Sequence, residues 1–218
     1  MRCSVISRLF IFIAFFCNSA FADCINQQTT DAPLPAIQSG HAWAKSCGDQ
    51  DQGGGDIYVK IAGNGLKNVN LHLRYEPDSY VLTLDTDIFF GDAKAQGVGV
   101  GTGGGRDANG MHYWMIDGTG KVIDLGEAPL LKRNSFMKGT YSALVTSSNS
   151  PYQSILYFYE IKNKKLTSTK AVGFESGPNG NIASLLVLLP DDKYRVVSKR
   201  RLTQIEYASC QSGKSACW

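Results

Sequence analysis

The chain has 218 residues, with 22 lysines and arginines against 19 aspartates and glutamates and a formal net charge of +3. Such a near-balance lacks the basic excess typical of nucleic-acid-binding proteins, so we expect no nucleic-acid partner. Hydrophobic residues make up 43% of the chain, which is enough for one domain with a core of its own.

The first 22 residues have the pattern of a secretory signal peptide. Arg2 and Arg8 flank an apolar run, Leu9 to Cys17, and Ala20-Phe21-Ala22 then places small residues at the cleavage positions. The run is about half of the roughly 20 residues that a helix needs to cross a bilayer, and no later stretch approaches that length. We therefore predict cleavage near Ala22, a periplasmic or secreted location and no transmembrane segment.

Four cysteines remain after the signal peptide: Cys24, Cys47, Cys210 and Cys217. An even number in an oxidising compartment predicts disulfides. The sequential pairing closes the shortest loops and is preferred, while the cross-pairing, which would join the two ends of the chain, stays open. The predicted organisation is a signal peptide over 1–22, an N-terminal arm over 23–47 that is polar and irregular from Asp23 to Pro35, a β domain over 48–209 and a disulfide-closed tail over 210–218.

Alternation of apolar and polar residues dominates the mature chain, most clearly from Val69 to Tyr75, and predicts β-strands. Turn residues at Asp117 to Gly120 and at Lys162 to Lys165 predict hairpins, and one or two helical turns are expected between Ile37 and Ser46. The other predicted strands are Ile57 to Ile61, Tyr80 to Leu84, Met111 to Ile116, Lys121 to Leu125, Tyr141 to Thr146, Ile155 to Ile161, Leu166 to Phe174, Ile182 to Leu189, Tyr194 to Val197 and Leu202 to Ala208. Short strands at close spacing predict a single all-β, antiparallel domain, propeller-like or sandwich-like, pinned by disulfides.

A spaced set of aspartates occurs twice, as Asp49-x-Asp51-x4-Asp56 and as Asp85-x-Asp87-x4-Asp92. Carboxylates at alternate positions of a tight loop are suitable ligands for calcium, and the glycines before Asp56 allow such a loop. These six aspartates are therefore the candidate calcium ligands, with the first loop the better set. The alternative is that they are ordinary turn residues.

Three segments resemble known families. Gly48 to Val59 (GDQDQGGGDIYV) resembles the Asp-rich loop and following strand of integrin-type FG-GAP repeats, with one residue fewer between the middle and last aspartate. Leu156 to Ser168 (LYFYEIKNKKLTS) resembles paired strands in a group of bacterial periplasmic proteins, some of which inhibit lysozymes. Lys193 to Tyr207 (KYRVVSKRRLTQIEY) is similar to the closing hairpin of that group. The resemblance implies a protein partner such as a lysozyme or another peptidoglycan hydrolase.

The glycine-rich stretch Gly97 to Gly105 contains a formal dinucleotide fingerprint, but no helical pattern follows it, so nucleotide binding is disfavoured. We interpret the stretch as a flexible loop or as a strand edge where another backbone approaches closely. A long loop on an exported protein is also a candidate recognition surface. The candidate partner contacts there are Gly103, Gly104, Gly105, Arg106, His112 and Trp114.

The histidines, His41, His72 and His112, are isolated in sequence, and no G-x-S-x-G elbow is present. His72 is expected to be solvated on the polar face of its strand, and His112 has Asp117 or a serine as candidate partners. These patterns favour a non-catalytic binding protein, and the resemblance implies inhibition of a cell-wall hydrolase as its specific form. The alternatives are an envelope polysaccharide hydrolase and a structural or accessory envelope protein.

Overall fold

A computed structural model describes residues 24–48, 54–75, 81–91, 95–103, 109–146, 152–178, 180–189, 193–215 and 217. The predicted signal peptide and its cleavage site lie outside these residues. The described strands are β1 Ile25–Pro33, β2 His41–Gly48, β3 Gly55–Ala62, β4 Val69–Tyr75, β5 Leu84–Asp85, β6 Phe89–Phe90, β7 Ala95–Gly103, β8 Gly110–Ile116, β9 Val122–Pro129, β10 Lys132–Arg133, β11 Tyr141–Thr146, β12 Ser154–Lys162, β13 Lys165–Gly177, β14 Gly180–Leu188 and β15 Tyr194–Leu202. One helix follows them, α1 Gln204–Gln211.

The strands form three antiparallel sheets in which neighbours in the chain are neighbours in space. Sheet A is β1-β2-β3-β4, sheet B is β7-β8-β9 with β5 and β6 both paired to β7, and sheet C is β10 to β15 in order. None of the three sheets is closed. The predicted all-β, antiparallel architecture is confirmed, and the predicted strands over Val69 to Tyr75 and Tyr141 to Thr146 coincide with β4 and β11. Of the predicted strand Tyr80 to Leu84, only Leu84 lies in a strand among the described residues.

Sheet B lies between the other two sheets. One of its faces packs on sheet A through buried apolar side chains, which are Val98, Val100, Trp114 and Ile116 from sheet B and Ala42, Ala44, Ile57, Val59 and Ile61 from sheet A. Its other side packs on sheet C, with Met111, Tyr113 and Leu125 from sheet B against Tyr141 and Ala143. Because both faces of sheet B are covered, its strands are apolar on both faces rather than alternating.

The glycine-rich stretch is a buried strand as far as Gly103, so the loop prediction is wrong for this part; Gly104 and Gly105 lie outside the described residues. The two valines of Gly97-Val98-Gly99-Val100-Gly101 join the core shared with sheet A. A Cβ built on Gly99 would lie only 2.5 Å from Cε1 of Tyr113. Glycine is needed here because the ring of Tyr113 lies directly against the strand backbone.

Gly99→Ala is therefore expected to destabilise the protein by about 1 to 3 kcal/mol, because the new methyl group overlaps a fully buried ring. Gly118→Ala, in the β8–β9 hairpin turn, is the matched control, since a Cβ there meets nothing within 4 Å. Urea unfolding measures both variants. Equal stabilities would contradict the close packing of Tyr113 on β7.

The N-terminal segment is a strand pair, so the predicted irregular arm is wrong. β1 pairs antiparallel with β2, from Ile25 opposite Gly48 to Pro33 opposite His41. As an edge strand β1 bonds on one side only, which allows its polar composition and a proline at its end. The helical turns expected from Ile37 are replaced by a turn closed by the N–H of Gly40 donating to the carbonyl of Ile37, and β2 follows.

The predicted final strand, Leu202 to Ala208, is also wrong, because β15 ends at Leu202 and α1 begins at Gln204. Thr203 caps the helix: its side chain accepts from the N–H of Glu206, whose carboxylate accepts from the N–H of Thr203. This T-x-x-E capping box is a helix-start signal that outweighs the apolar character of the segment. The segment that resembles a closing hairpin is thus a strand followed by a helix.

The disulfides are Cys24–Cys47 and Cys210–Cys217, which confirms the sequential pairing. The first joins the start of β1 to the end of β2, and the second joins α1 to the C-terminal segment. Both bonds fit an extracytoplasmic location, where oxidising conditions maintain disulfides. No helix in the described part of the chain has the length and apolar character needed to cross a membrane.

We expect the Cys24–Cys47 bond to contribute more stability than the Cys210–Cys217 bond, because the cysteines are 23 rather than 7 residues apart. Loop-closure entropy gives about 3 kcal/mol for the longer loop and about 2 kcal/mol for the shorter. Serine double variants of each pair, compared by denaturant unfolding, measure the difference. A larger loss for the C-terminal pair would contradict this order.

Candidate binding surfaces

Three of the six candidate calcium ligands, Asp49, Asp51 and Asp92, lie outside the described residues. Asp56 is on β3, where its Oδ1 lies 2.7 Å from Nε2 of His72. Asp85 accepts a hydrogen bond from the N–H of Asp87, a turn arrangement, and burial raises the pKa of Asp85 although that hydrogen bond opposes the shift. Among the described residues no three His, Cys, Asp or Glu side chains are grouped as metal ligands, and calcium binding stays a prediction.

The candidate partner contacts lie in different surroundings. Trp114 is 3% exposed and belongs to the core between sheets A and B. The side chain of His112 is 12% exposed. Gly103 is buried and has a φ of 71°, a value that favours glycine, at the end of β7. Gly104, Gly105 and Arg106 lie outside the described residues.

Each histidine pairs with an aspartate and lies against an aromatic ring. The Nε2–carboxylate distances are 2.7 Å for His41–Asp31, 2.7 Å for His72–Asp56 and 2.9 Å for His112–Asp124. The ring-centre distances are 4.6 Å for His41–Trp43, 5.0 Å for His72–Tyr58 and 4.6 Å for His112–Trp114. His72 is exposed, as expected, whereas the predicted pairing of His112 with Asp117 is wrong.

These pairs hold each imidazole ring beside its aromatic neighbour. Among the described residues, the side-chain hydrogen bonds of the three histidines are made with aspartates, and none is made with a serine or a cysteine. One signal for the pairs was present in the sequence, since His-x-Trp occurs at His41 and again at His112. Residues two apart on a strand share a face, so each such pair is expected to be in contact.

A shallow groove crosses the outward face of sheet A at right angles to its strands, with a volume of about 530 Å³. The strand register places two rows of side chains across the sheet, which we call the Trp43 row and the Tyr58 row. The Trp43 row is Asp31, Trp43, Lys60 and Asn70. The Tyr58 row is Thr29, Lys45, Tyr58 and His72. Between them, Thr30, Ala44, Val59 and Leu71 alternate to the other face, so their backbone forms the floor.

The two aromatic rings of this groove remain accessible: Trp43 is 40% exposed and Tyr58 is 50% exposed. The Nζ of Lys60 lies 5.5 Å from the centre of the Trp43 ring. Among the described residues neither Lys45 nor Lys60 belongs to an ion pair. The groove therefore combines exposed ring surface with cations that are open to a ligand.

A second concave region, of about 430 Å³, lies where β7 ends and β8 begins. Gly103 pairs with Gly110, so the chain between them, which contains Arg106, connects the two strands at this end of sheet B. The side chains around this hollow include Arg74 from sheet A, Glu127 from sheet B and Tyr159 from sheet C. Burial, with a smaller contribution from Tyr157, raises the pKa of Tyr159 to about 12, so the hydroxyl stays protonated at neutral pH.

A third groove, of about 570 Å³, lies between sheets A and B, and its lining includes Lys67, Lys121, Trp114 and Asp124. Partial burial raises the pKa of Asp124, but hydrogen bonds from His112 and from the N–H of Gly126, with the charges of His112 and Lys165, hold it below its ordinary value. The ionised form of Asp124 is thus favoured in the folded protein. Asp124 stabilises this edge of sheet B by linking β8 to β9.

The stabilisation by Asp124 is expected to depend on acid pH. A carboxylate with a lowered pKa in the folded state stabilises the protein above its ordinary pKa of 3.8 and loses that effect as pH falls through the folded value. The difference in unfolding free energy between wild type and Asp124→Asn should therefore shrink between pH about 5 and pH about 2. Urea unfolding across this range measures it, and a constant difference would contradict the assignment.

The described part of the chain is thus an antiparallel β protein with two disulfides and with concave surfaces on sheet A, between sheets A and B and at the end of sheet B. No protein-family model matches it, and no curated protein matches it. Among solved structures it is similar to a Xanthomonas type IV secretion system related protein, with 15% sequence identity and a TM-score of 0.48. That similarity covers 81% of this chain and 96% of the other.

Proposed function

We propose that this is an exported, non-catalytic binding protein that inhibits a cell-wall hydrolase of the lysozyme type. The observation that carries the proposal is the hollow where β7 ends and β8 begins, which Arg74 and Tyr159 line. Arginine and tyrosine are among the side chains that contribute most to binding in protein interfaces. This end of sheet B is the proposed inhibitory surface.

The chemistry of the expected partner complements this surface. The catalytic clefts of glycoside hydrolases carry a pair of carboxyl groups, and arginine binds carboxylates through two parallel hydrogen bonds. Arg74 is exposed near the end of β4, where it lines the hollow. Glu127 lies on the same hollow and supplies a charge of opposite sign, which would restrict the orientation of the partner.

The sequence resemblance and the predicted export support the same proposal. Leu156 to Ser168, which resembles paired strands of periplasmic proteins that include lysozyme inhibitors, spans the β12–β13 hairpin with Lys162 opposite Lys165. The predicted signal peptide and the two disulfides fit the compartment in which cell-wall hydrolases act. The proposal therefore rests on the hollow for its contact surface and on the resemblance for its partner.

An inhibitor of this kind is expected to titrate lysozyme activity to an endpoint set by the molar ratio. The mature protein is added to c-type, g-type and i-type lysozymes, and lysis of cell walls is followed. Arg74→Ala and Arg106→Ala should each weaken the inhibition by about tenfold, because Arg74 lines the hollow and Arg106 belongs to the sequence segment that joins β7 to β8. Lys199→Gln, on β15 of sheet C, is the matched control and should inhibit as the wild type does.

Full activity of all three lysozymes at about tenfold molar excess of the protein would contradict inhibition, since a stoichiometric inhibitor saturates its target at that ratio. Turnover of peptidoglycan by the purified protein alone would instead support the polysaccharide hydrolase. Inhibition that both arginine variants retain in full would place the contact on another surface.

A further inference from the structure

We propose that the groove across sheet A binds a short segment of glycan that carries carboxylates, such as a peptide-free glycan strand of a bacterial cell wall, in which the lactyl groups of N-acetylmuramic acid are free carboxylates. The groove is formed by the Trp43 row, the Tyr58 row and the backbone floor between them. It is on the outward face of sheet A, and its lining shares no residue with the hollow where β7 ends and β8 begins, although Arg74 of that hollow is on β4 of sheet A. This inference therefore goes beyond inhibition of a hydrolase.

The dimensions of the groove suit an extended, narrow polymer. Four strands about 4.8 Å apart give it a length of roughly 14 Å, and rows two residues apart give it a width of roughly 7 Å. Its volume of about 530 Å³ lies in the range usual for small-ligand sites. The open ends at Asp31 and Asn70 allow a longer chain to continue on either side.

The groove offers rings and side-chain hydrogen bonds but no backbone partners. β2 and β3 are central strands, so their N–H and C=O groups are used in the ladders with their neighbours. A peptide that adds to a sheet needs a free strand edge, which this face does not supply. A glycan needs apolar ring surface for its sugar faces and polar side chains for its hydroxyl groups, and Trp43, Tyr58, Asn70 and Thr29 supply both.

Both aromatic side chains are held in position before any ligand arrives. His41 packs against Trp43 and is itself bound by Asp31, while His72 stacks on Tyr58 and is bound by Asp56. Side chains that are already ordered lose less conformational entropy on binding. The two histidine–aspartate pairs thus act as supports for the two aromatic walls.

The charges of the groove select an acidic ligand. Lys45 lies in the Tyr58 row and Lys60 in the Trp43 row, so each wall presents one cation. Asp31, the acidic side chain in these rows, is paired with His41. Carboxylates along a bound glycan therefore meet a cation on either side of the groove.

Calorimetric titration of the mature protein tests the inference with two tetrasaccharides. The acidic probe alternates N-acetylglucosamine with N-acetylmuramic acid, and the neutral probe contains N-acetylglucosamine alone. The wild type should bind the acidic probe about tenfold more tightly, because only that probe carries carboxylates for Lys45 and Lys60. Trp43→Ala and Tyr58→Ala should each lose about tenfold in affinity for both probes, since the ring surface contacts the sugars of either.

The double variant Lys45→Gln/Lys60→Gln should bind both probes with the weaker affinity of the neutral one. The matched control is Leu144→Ala/Lys170→Gln, two exposed positions on sheet C, which should leave both affinities unchanged. Because all the substituted side chains are exposed, circular dichroism and thermal melting should show folded variants. Unchanged affinities in Trp43→Ala and Tyr58→Ala, or equal wild-type affinities for the two probes, would overturn the inference.

Lysozyme inhibition is measured on the same variants, which separates this inference from the proposed function. Trp43→Ala should retain full inhibition, because Trp43 does not line the hollow proposed for inhibition and the two surfaces share no lining residue. Loss of inhibition in Trp43→Ala, with no glycan binding by the wild type, would assign the groove to a protein partner and overturn the glycan inference. Glycan binding without inhibition of any lysozyme would support the groove and contradict the proposed function alone.

Discussion

The structure depends on the burial of sheet B from both sides. Tyr113 and Trp114 are consecutive in β8, so they point to opposite faces, and each joins a different core. Trp114 packs towards sheet A, while Tyr113 packs towards sheet C. The ring of Tyr113 leaves no room for a side chain at Gly99. The hydroxyl of Tyr113 accepts a hydrogen bond from the N–H of Leu131, just before sheet C begins. Sheets A and C are held together through this strand, because each buries its apolar face on sheet B.

Sheet A shows how this arrangement creates a surface for function. Its inner face is covered by sheet B, and its strands alternate strictly, with Ala42, Ala44 and Ser46 buried on β2 and Trp43 and Lys45 exposed. Nothing among the described residues covers the outer face. The tryptophans of the two His-x-Trp pairs therefore have different environments. Trp114 is buried because both faces of sheet B are covered, whereas Trp43 is exposed because only the inner face of sheet A is covered.

The sequence predicted the elements whose signals are local. β4 alternates without exception, and the Lys162–Lys165 turn joins two strands of the expected type. The wrong predictions have a common cause. The local composition was typical of one secondary structure, but tertiary packing or a helix cap favoured another. The glycines of β7 indicated a loop, but they form a strand against which the ring of Tyr113 packs. Apolar residues near the C-terminus indicated a strand, but the capping box of Thr203 and Glu206 begins a helix there. Polar residues indicated an irregular arm, but β1 is an edge strand.

The candidate surfaces were harder to predict because they depend on register. In the sequence, Trp43 and Tyr58 are two separate aromatic residues. Only the register of β2 and β3 shows that their rings lie in neighbouring rows of sheet A. The proposed glycan groove and the proposed inhibitory hollow would reinforce each other. A protein that binds cell-wall glycan through sheet A would be concentrated where a cell-wall hydrolase works, so a modest affinity at the end of sheet B would suffice for inhibition there.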